Sequence, residues 1–268
     1  MLVEFTTDER VGVITLNRPE TRNAQNDALL VELDAAWTHA SLDDDVRVIV
    51  VQANGPHFSA GHDLKSYNQD AYGDDGGVKD LARAYRWEAE RFLGFSRRWS
   101  EVPKPSIAAV HGACIGAGLM LCWPCDLIVA SEDAYFSDPV VRLGIGGVEY
   151  QAHTWELGAR KAKELLFTAG AITAAEAREL GMVNRVVPPE RLRDDTMDLA
   201  RKIAQMDPFG LAQAKRAVNV TLDIMGRYAA LQAAFDVHWT GHGRALGLSG
   251  GSEPLMSDLE SLRRSNQP

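Results

Sequence analysis

Apolar positions along the first part of the chain fall into two rhythms. VGVITLN (11–17) alternates and RVIVVQA (47–53) runs apolar without a break, which predicts two strands, the second buried on both faces. Between them Leu29, Leu30, Leu33, Ala36, Trp37 and Ala40 recur at i, i+3, i+4 spacing, so residues 26–40 read as a helix with one apolar stripe. SIAAV (106–110) and DLIVA (126–130) predict two further buried strands. Thr173 and Glu176 form a capping box that opens a short helix, Gly181 ends it, and VNRVV follows as a strand. Strands alternating with helices in this way predict an α/β architecture.

The rhythm changes after Pro188 and Pro189. Residues 190–245 are almost all helix-forming, with breaks at Pro208 and Gly226. The chain therefore divides into an α/β core, residues 1–190, and a helical C-terminal module, residues 191–268, whose tail from Gly247 onward (GLSGGSEPL) reads as mobile. NQDAYGDDGGVKD (68–80) is polar and glycine-rich; its acidic residues miss the calcium-loop spacing, and it reads as a mobile surface loop, with a lid over a neighbouring site as the alternative.

Charge and cysteine usage narrow the partners. Lys and Arg number 28 against 37 Asp and Glu, a formal charge of −9, which argues against nucleic acid or an anionic membrane surface. No apolar segment approaches the ~18 residues of a membrane span. No basic segment followed by an apolar run opens the chain, so the cytoplasm is the expected location. Cys114, Cys122 and Cys125 make no disulfide framework. With His111 they could be read as a zinc site or a redox dithiol, but they sit in a strand and a helix and are expected to fill core space, so neither a metal nor a cofactor is expected. Ser59, His62 and Asp63 are neighbours in sequence, yet no G-x-S-x-G accompanies them.

The candidate chemistry lies in two glycine turns. FSAGHDLK (58–65) follows the second strand, and HGACIGAGLML (111–121) follows the third. Each is a strand, a small-residue turn and a helix start, an arrangement that leaves amide N–H groups unpaired and pointing outward. Two such turns facing each other would aim two backbone donors at one oxygen, an oxyanion hole.

These turns also carry a resemblance. LNRPETRNAQN (16–26), FSAGHDLK (58–65), KPSIAAVHGACIGAGLML (104–121), CDLIVASEDAYFSDP (125–139) and TAGAITAAEARELGMVNRVV (168–187) resemble, in this order, the crotonase superfamily of enoyl-CoA hydratases and isomerases. The resemblance implies a spiral of ββα turns and a helical C-terminal part that builds homotrimers or homohexamers. It implies an acyl-CoA thioester as substrate, with coenzyme A entering only as the carrier. The oxyanion donors would be the N–H groups of His62 and Ala117; alanine can serve where glycine is commoner if its φ is negative. Ala60, Asp63, Leu64 and Lys65 would line the thioester and pantetheine channel, and Arg22 and Lys65 would meet the coenzyme A phosphates. Asp63 would also favour the start of the following helix, and Asp126 would hold structure by hydrogen bonding.

One part of the family pattern is missing. The two glutamates of family hydratases are replaced by Met120 and Val140, neither of which moves a proton. Glu149, in RLGIGGVEY, is the candidate acid/base in their stead; Asp138 and Tyr150 are expected to be structural. Relatives that decarboxylate malonyl-type acyl-CoA share His62 and Val140, which makes decarboxylation the alternative, with a non-catalytic acyl-CoA binder as a third reading.

Overall fold

The computed structural model describes residues 1–72 and 80–248. Its larger sheet runs in the order β1 (Val3–Asp8), β2 (Val11–Leu16), β3 (Val48–Ala53), β4 (Ser106–Val110), β6 (Leu127–Ser131) and β9 (Arg185–Val187). β1 pairs antiparallel with β2, and all other neighbours are parallel. A smaller sheet of β5 (Ala113–Ile115), β7 (Tyr135–Ser137) and β8 (Ala171–Thr173) lies beside it. The chain passes from β4 to β5, back to β6, then out to β7, so successive turns lay one strand in each sheet.

Alternation assigns the two faces of the larger sheet. Val11, Val13, Val48, Val50, Ile107, Ala109 and Val129 pack with Leu192, Ala200 and Ala204 of α8 (Leu192–Ala204). The intervening Ile14, Leu16, Ile49, Val51, Ala108 and Val110 enter the main core with the stripe of α1 (Asp27–Leu42). Leu29, Leu30 and Leu33 of that stripe are fully buried, and full burial of one such side chain contributes about 1.5–3 kcal/mol. Asn26 caps α1 by accepting from the Leu29 amide at 3.0 Å.

The remaining helices are α2 (Tyr67–Tyr72), α3 (Leu81–Glu88), α4 (Phe95–Glu101), α5 (Leu119–Cys122), α6 (His153–Thr168), α7 (Ala174–Glu179), α9 (Pro208–Ile224) and α10 (Arg227–Leu248). α3 continues into α4 through a π-helical turn over Ala89–Gly94. The capping box at Thr173 and Glu176 is formed. Asp207 caps α9 with Pro208 in its first turn, and Gly226, at φ 101°, separates α9 from α10. No helix among the described residues is long and apolar enough to cross a membrane.

Four features were not foreseen. β1 has no apolar run because it is an edge strand exposed toward its end. The strands of the smaller sheet are three residues each, too short for periodicity to register. Asp63 does not begin a helix: its carboxylate accepts from the Lys65 amide in a turn, and α2 starts only at Tyr67. Residues 68–72 of the expected loop are helical, while 73–79 lie outside the described residues, as does the tail from 249 onward.

Candidate active site

The first turn is held in place by the segment before α1. Asn23, itself at φ 53°, donates through its side-chain amide to the carbonyls of Asn54 and His57, both at 2.9 Å. Ser59 Oγ donates to the Asn23 carbonyl and accepts from the Gly61 amide, at 2.9 and 3.2 Å. Gln25 bonds the residues on either side of His62, its amide to the Gly61 carbonyl and its carbonyl to the Asp63 amide, both at 2.8 Å. In a parallel bridge of this kind the middle residue's own N–H faces the opposite way. The His62 amide accordingly makes no backbone hydrogen bond among the described residues.

The second turn is pressed against the first. The Ser59 amide donates to the Ala113 carbonyl at 3.1 Å, and the Ile115 amide returns a bond to the Ser59 carbonyl at 3.0 Å. Gly61 has φ 86°, and a Cβ on it would lie 2.7 Å from the Ile115 carbonyl oxygen and 3.1 Å from the Ala117 nitrogen. A Cβ on Gly118 would lie 2.7 Å from the Ser59 carbonyl oxygen. Glycine is thus required at both places, and its absence of side chain lets the turns around His62 and Ala117 adjoin. Ala117 is not among the positive-φ residues, so alanine is unstrained there. It sits in the first turn of a short 3₁₀ segment, Gly116–Gly118, where N–H groups have no partner within the helix.

Side chains complete the site. His62 Nε2 lies 2.8 Å from Glu149 Oε1. The segment carrying Glu149 is anchored at its neighbours. Asp138, fully buried, accepts from the Val148 amide at 2.9 Å and faces His153 Nε2 at 3.1 Å. Met120 Sδ accepts from the Tyr150 amide at 3.3 Å, and the Gly147 carbonyl faces His238 Nδ1 at 2.7 Å. Met120 and Asp138 therefore hold the loop that presents Glu149, whose Oε2 is buried with no hydrogen-bond partner among the described residues.

Glu149 belongs to a larger buried cluster that sequence reasoning missed. His238 Nε2 lies 3.6 Å from Glu149 Oε1 and 3.3 Å from Glu88 Oε2. His242 Nε2 lies 3.0 Å from His238 Nε2, and the Tyr67 hydroxyl donates to Glu88 Oε1. The one signal available was His238 and His242 spaced four apart in a predicted helix, where they share a face.

Burial acts against charge on all these groups, and their neighbours decide the outcome. Burial pushes the Glu149 carboxyl up, but His62 and His238 outweigh it and hold the group down at about 2. Burial pulls both imidazoles down, yet Glu149 and Glu88 raise His62, and carry His238 up to about 9. For His242 burial prevails and its pKa is lowered. At neutral pH Glu149 is an anion beside a cationic His238, and the same carboxylates draw His62 toward its protonated form.

The other predicted residues have local partners of their own. Arg22 has left-handed backbone and accepts from the Ala60 amide at 2.9 Å. Leu64 is half-buried and Lys65 exposed. Asp63 pairs with Arg18 at 2.7 Å, a base not anticipated. Asp126 accepts from the amide and hydroxyl of Ser106 and pairs with Lys215 at 2.8 Å, as expected of a structural carboxylate. All three cysteines are buried; Cys114 and Cys122 lie 3.8 Å apart, while His111 turns to the Gly55 carbonyl.

Comparison with known proteins decides the family. The family model described as enoyl-CoA hydratase/isomerase matches residues 6–241. The chain belongs to this family. It is 59% identical to a probable enoyl-CoA hydratase from Mycobacterium thermoresistibile, whose crystal structure it matches with a TM-score of 0.87 over 92% of this chain and 99% of that one. A probable enoyl-CoA hydratase from Mycobacterium smegmatis is 57% identical, with a TM-score of 0.88 over 93% and 97% of the two chains. EchA13 of Mycobacterium tuberculosis, provisionally named an enoyl-CoA hydratase, is 44% identical over 92% of this chain and 82% of its own. The fold is the α/β crotonase fold, with two sheets and C-terminal helices, and the chain is an acyl-CoA enzyme of the hydratase/isomerase type.

Proposed function

We propose that the N–H groups of His62 and Ala117 receive the thioester oxygen of an acyl-CoA substrate and that Glu149, oriented by His62, moves the proton. The supporting observation is the 2.8 Å contact between His62 Nε2 and Glu149 Oε1, which ties the residue that supplies one backbone donor to the residue that carries the proton. Glu149 Oε2 is the oxygen left for substrate. In hydration it takes a proton from the water that adds to C3 of a 2-enoyl thioester, charge passes to the thioester oxygen, and the proton returns to C2. In isomerisation of a 3-enoyl thioester it takes the proton from C2 and delivers it to C4. Both routes develop negative charge at the oxygen facing two N–H groups, where one such donor is worth about 3 kcal/mol.

Met120 and Val140 carry no ionisable group, which leaves the acid/base work to Glu149. An anionic Glu149 would repel the free carboxylate of a malonyl-type acyl group, and this favours hydration or isomerisation over decarboxylation. Arg22, Ala60, Asp63, Leu64 and Lys65 are assigned to the coenzyme A channel; the ion pair that holds Asp63 against Arg18 supports a wall role for it, and the exposure of Lys65 supports a role in meeting phosphate. A homotrimer or homohexamer is supported by the exposed Phe209, Val218, Ile224 and Met225 in and just after α9, which itself buries no residue.

The test is turnover of crotonyl-CoA, longer 2-enoyl and 3-enoyl thioesters and methylmalonyl-CoA, followed by mass spectrometry. Gain of water or a shifted double bond is the expected result. Loss of carbon dioxide would replace this reading with the decarboxylase, and full activity in Glu149→Gln would remove Glu149 from the mechanism.

A further inference from the structure

We infer that Glu88, His238 and His242 form a binding site for one divalent transition-metal ion, zinc by the chemistry of its donors, with a fourth position facing Glu149. The three residues come from two elements far apart in sequence: Glu88 ends α3 where it enters the π-helical turn, and the histidines share one face of α10. Single π turns inside helices recur at functional sites. All three side chains are buried, and one ligand-capable atom from each lies within 4.8 Å of the others.

Two of the three spacings are those of a tetrahedral ion. Zinc bonds of about 2.0–2.1 Å to nitrogen and oxygen put neighbouring donors about 3.3 Å apart. The two Nε2 atoms are 3.0 Å apart and His238 Nε2 is 3.3 Å from Glu88 Oε2, while His242 Nε2 is 3.9 Å from the other oxygen of that carboxylate, Oε1. Glu149 Oε1, 3.6 Å from His238 Nε2, stands near the fourth corner.

Supporting contacts around the ligands are also in place. His238 Nδ1 donates to the Gly147 carbonyl at 2.7 Å, which fixes the ring and directs Nε2 inward, the outer hydrogen bond usual for a metal-bound histidine. Tyr67 donates to Glu88 Oε1 in the same way. Glu88 Oε2 is fully buried and has no hydrogen-bond partner among the described residues, although His238 Nε2 is close by. An ion shared by these atoms satisfies that orphan lone pair. Trp239 stacks on His242 and Phe92 lies against His62, so the cluster is enclosed by aromatic surface. Imidazole and carboxylate together suit zinc and its first-row neighbours better than calcium or magnesium.

The full-length protein, stripped with chelator and dialysed, would be titrated with Zn²⁺ by calorimetry and with Co²⁺ by visible absorption. One equivalent per chain, proton release on binding and the absorption of tetrahedral Co²⁺ are expected. His242→Ala and Glu88→Gln should each weaken binding at least roughly tenfold. Glu88→Gln keeps shape and hydrogen-bonding capacity, so it reports on the ligand set even if the histidine variant fails to fold. Absence of a tetrahedral Co²⁺ spectrum, or metal uptake unchanged in both variants, would overturn the site in favour of a metal-free network of ion pairs. The readout is independent of turnover, so its failure leaves the thioester reading untouched.

Discussion

Around residues 58–62 and 113–118 the site is made of main chain, whereas between α3, the Glu149 loop and α10 it is made of side chains. In the first region what matters is the absence of atoms: Gly61 and Gly118 are needed because a methyl group would strike the opposite turn. In the second, five ionisable groups are placed by elements up to 180 residues apart and tuned by one another. The first uses only the amides of His62 and Ala117; the His62 imidazole belongs to the second region, where it meets Glu149. The second depends on each partner and on exclusion of water, because only in a low-dielectric setting do neighbours carry Glu149 down to about 2 and His238 up to about 9.

This contrast can be broken most severely at Glu149. Glu149→Gln should lower kcat by about 10²–10⁴ with little change in acyl-CoA binding, measured as kcat against Kd for a product thioester. At Ala117 two substitutions should diverge. Ala117→Pro, which removes the N–H from a first turn that tolerates proline, should cost about 10²–10³ in kcat. Ala117→Gly should stay close to the parent in kcat and lose about 0.5–1 kcal/mol of stability by denaturant melting. Equal losses in both would mean that the side chain, not the amide, is what functions there.

Away from both regions, substitutions should alter stability without separating kcat from binding. Burial pushes Glu156 up to about 7, against the opposing pull of Arg227. Its folded-state pKa lies above its unfolded value, so the folded state binds the proton more tightly. Stability is then greatest below the unfolded pKa, about 4.5, and declines as pH rises toward 7. Glu156→Gln should flatten that decline and stabilise the protein at pH 8 by up to about 3 kcal/mol, read from chemical melts at several pH values. Thr173→Ala removes the cap of α7, which accepts from the Glu176 amide at 3.2 Å, and should cost about 1 kcal/mol with no effect on turnover.

The sequence by itself determined five of the six strands of the larger sheet, the stripe of α1, the capping box and the glycine turns, because each depends on residues adjacent in the chain or on a short period. It also determined that Met120 and Val140 could not act as acids, since side-chain chemistry needs no fold to read. Glu149 was legible as a candidate only through its neighbourhood in a matched segment; that it meets His62 was not. Nothing local in Glu88, His238 or His242 announces a common destination. Their meeting follows from the path of α10 back over α3 and the π turn beneath it, a long-range packing decision. Tertiary structure alone decides which distant charges are brought out of water together, because desolvation and mutual distance belong to the folded chain and not to any segment of it.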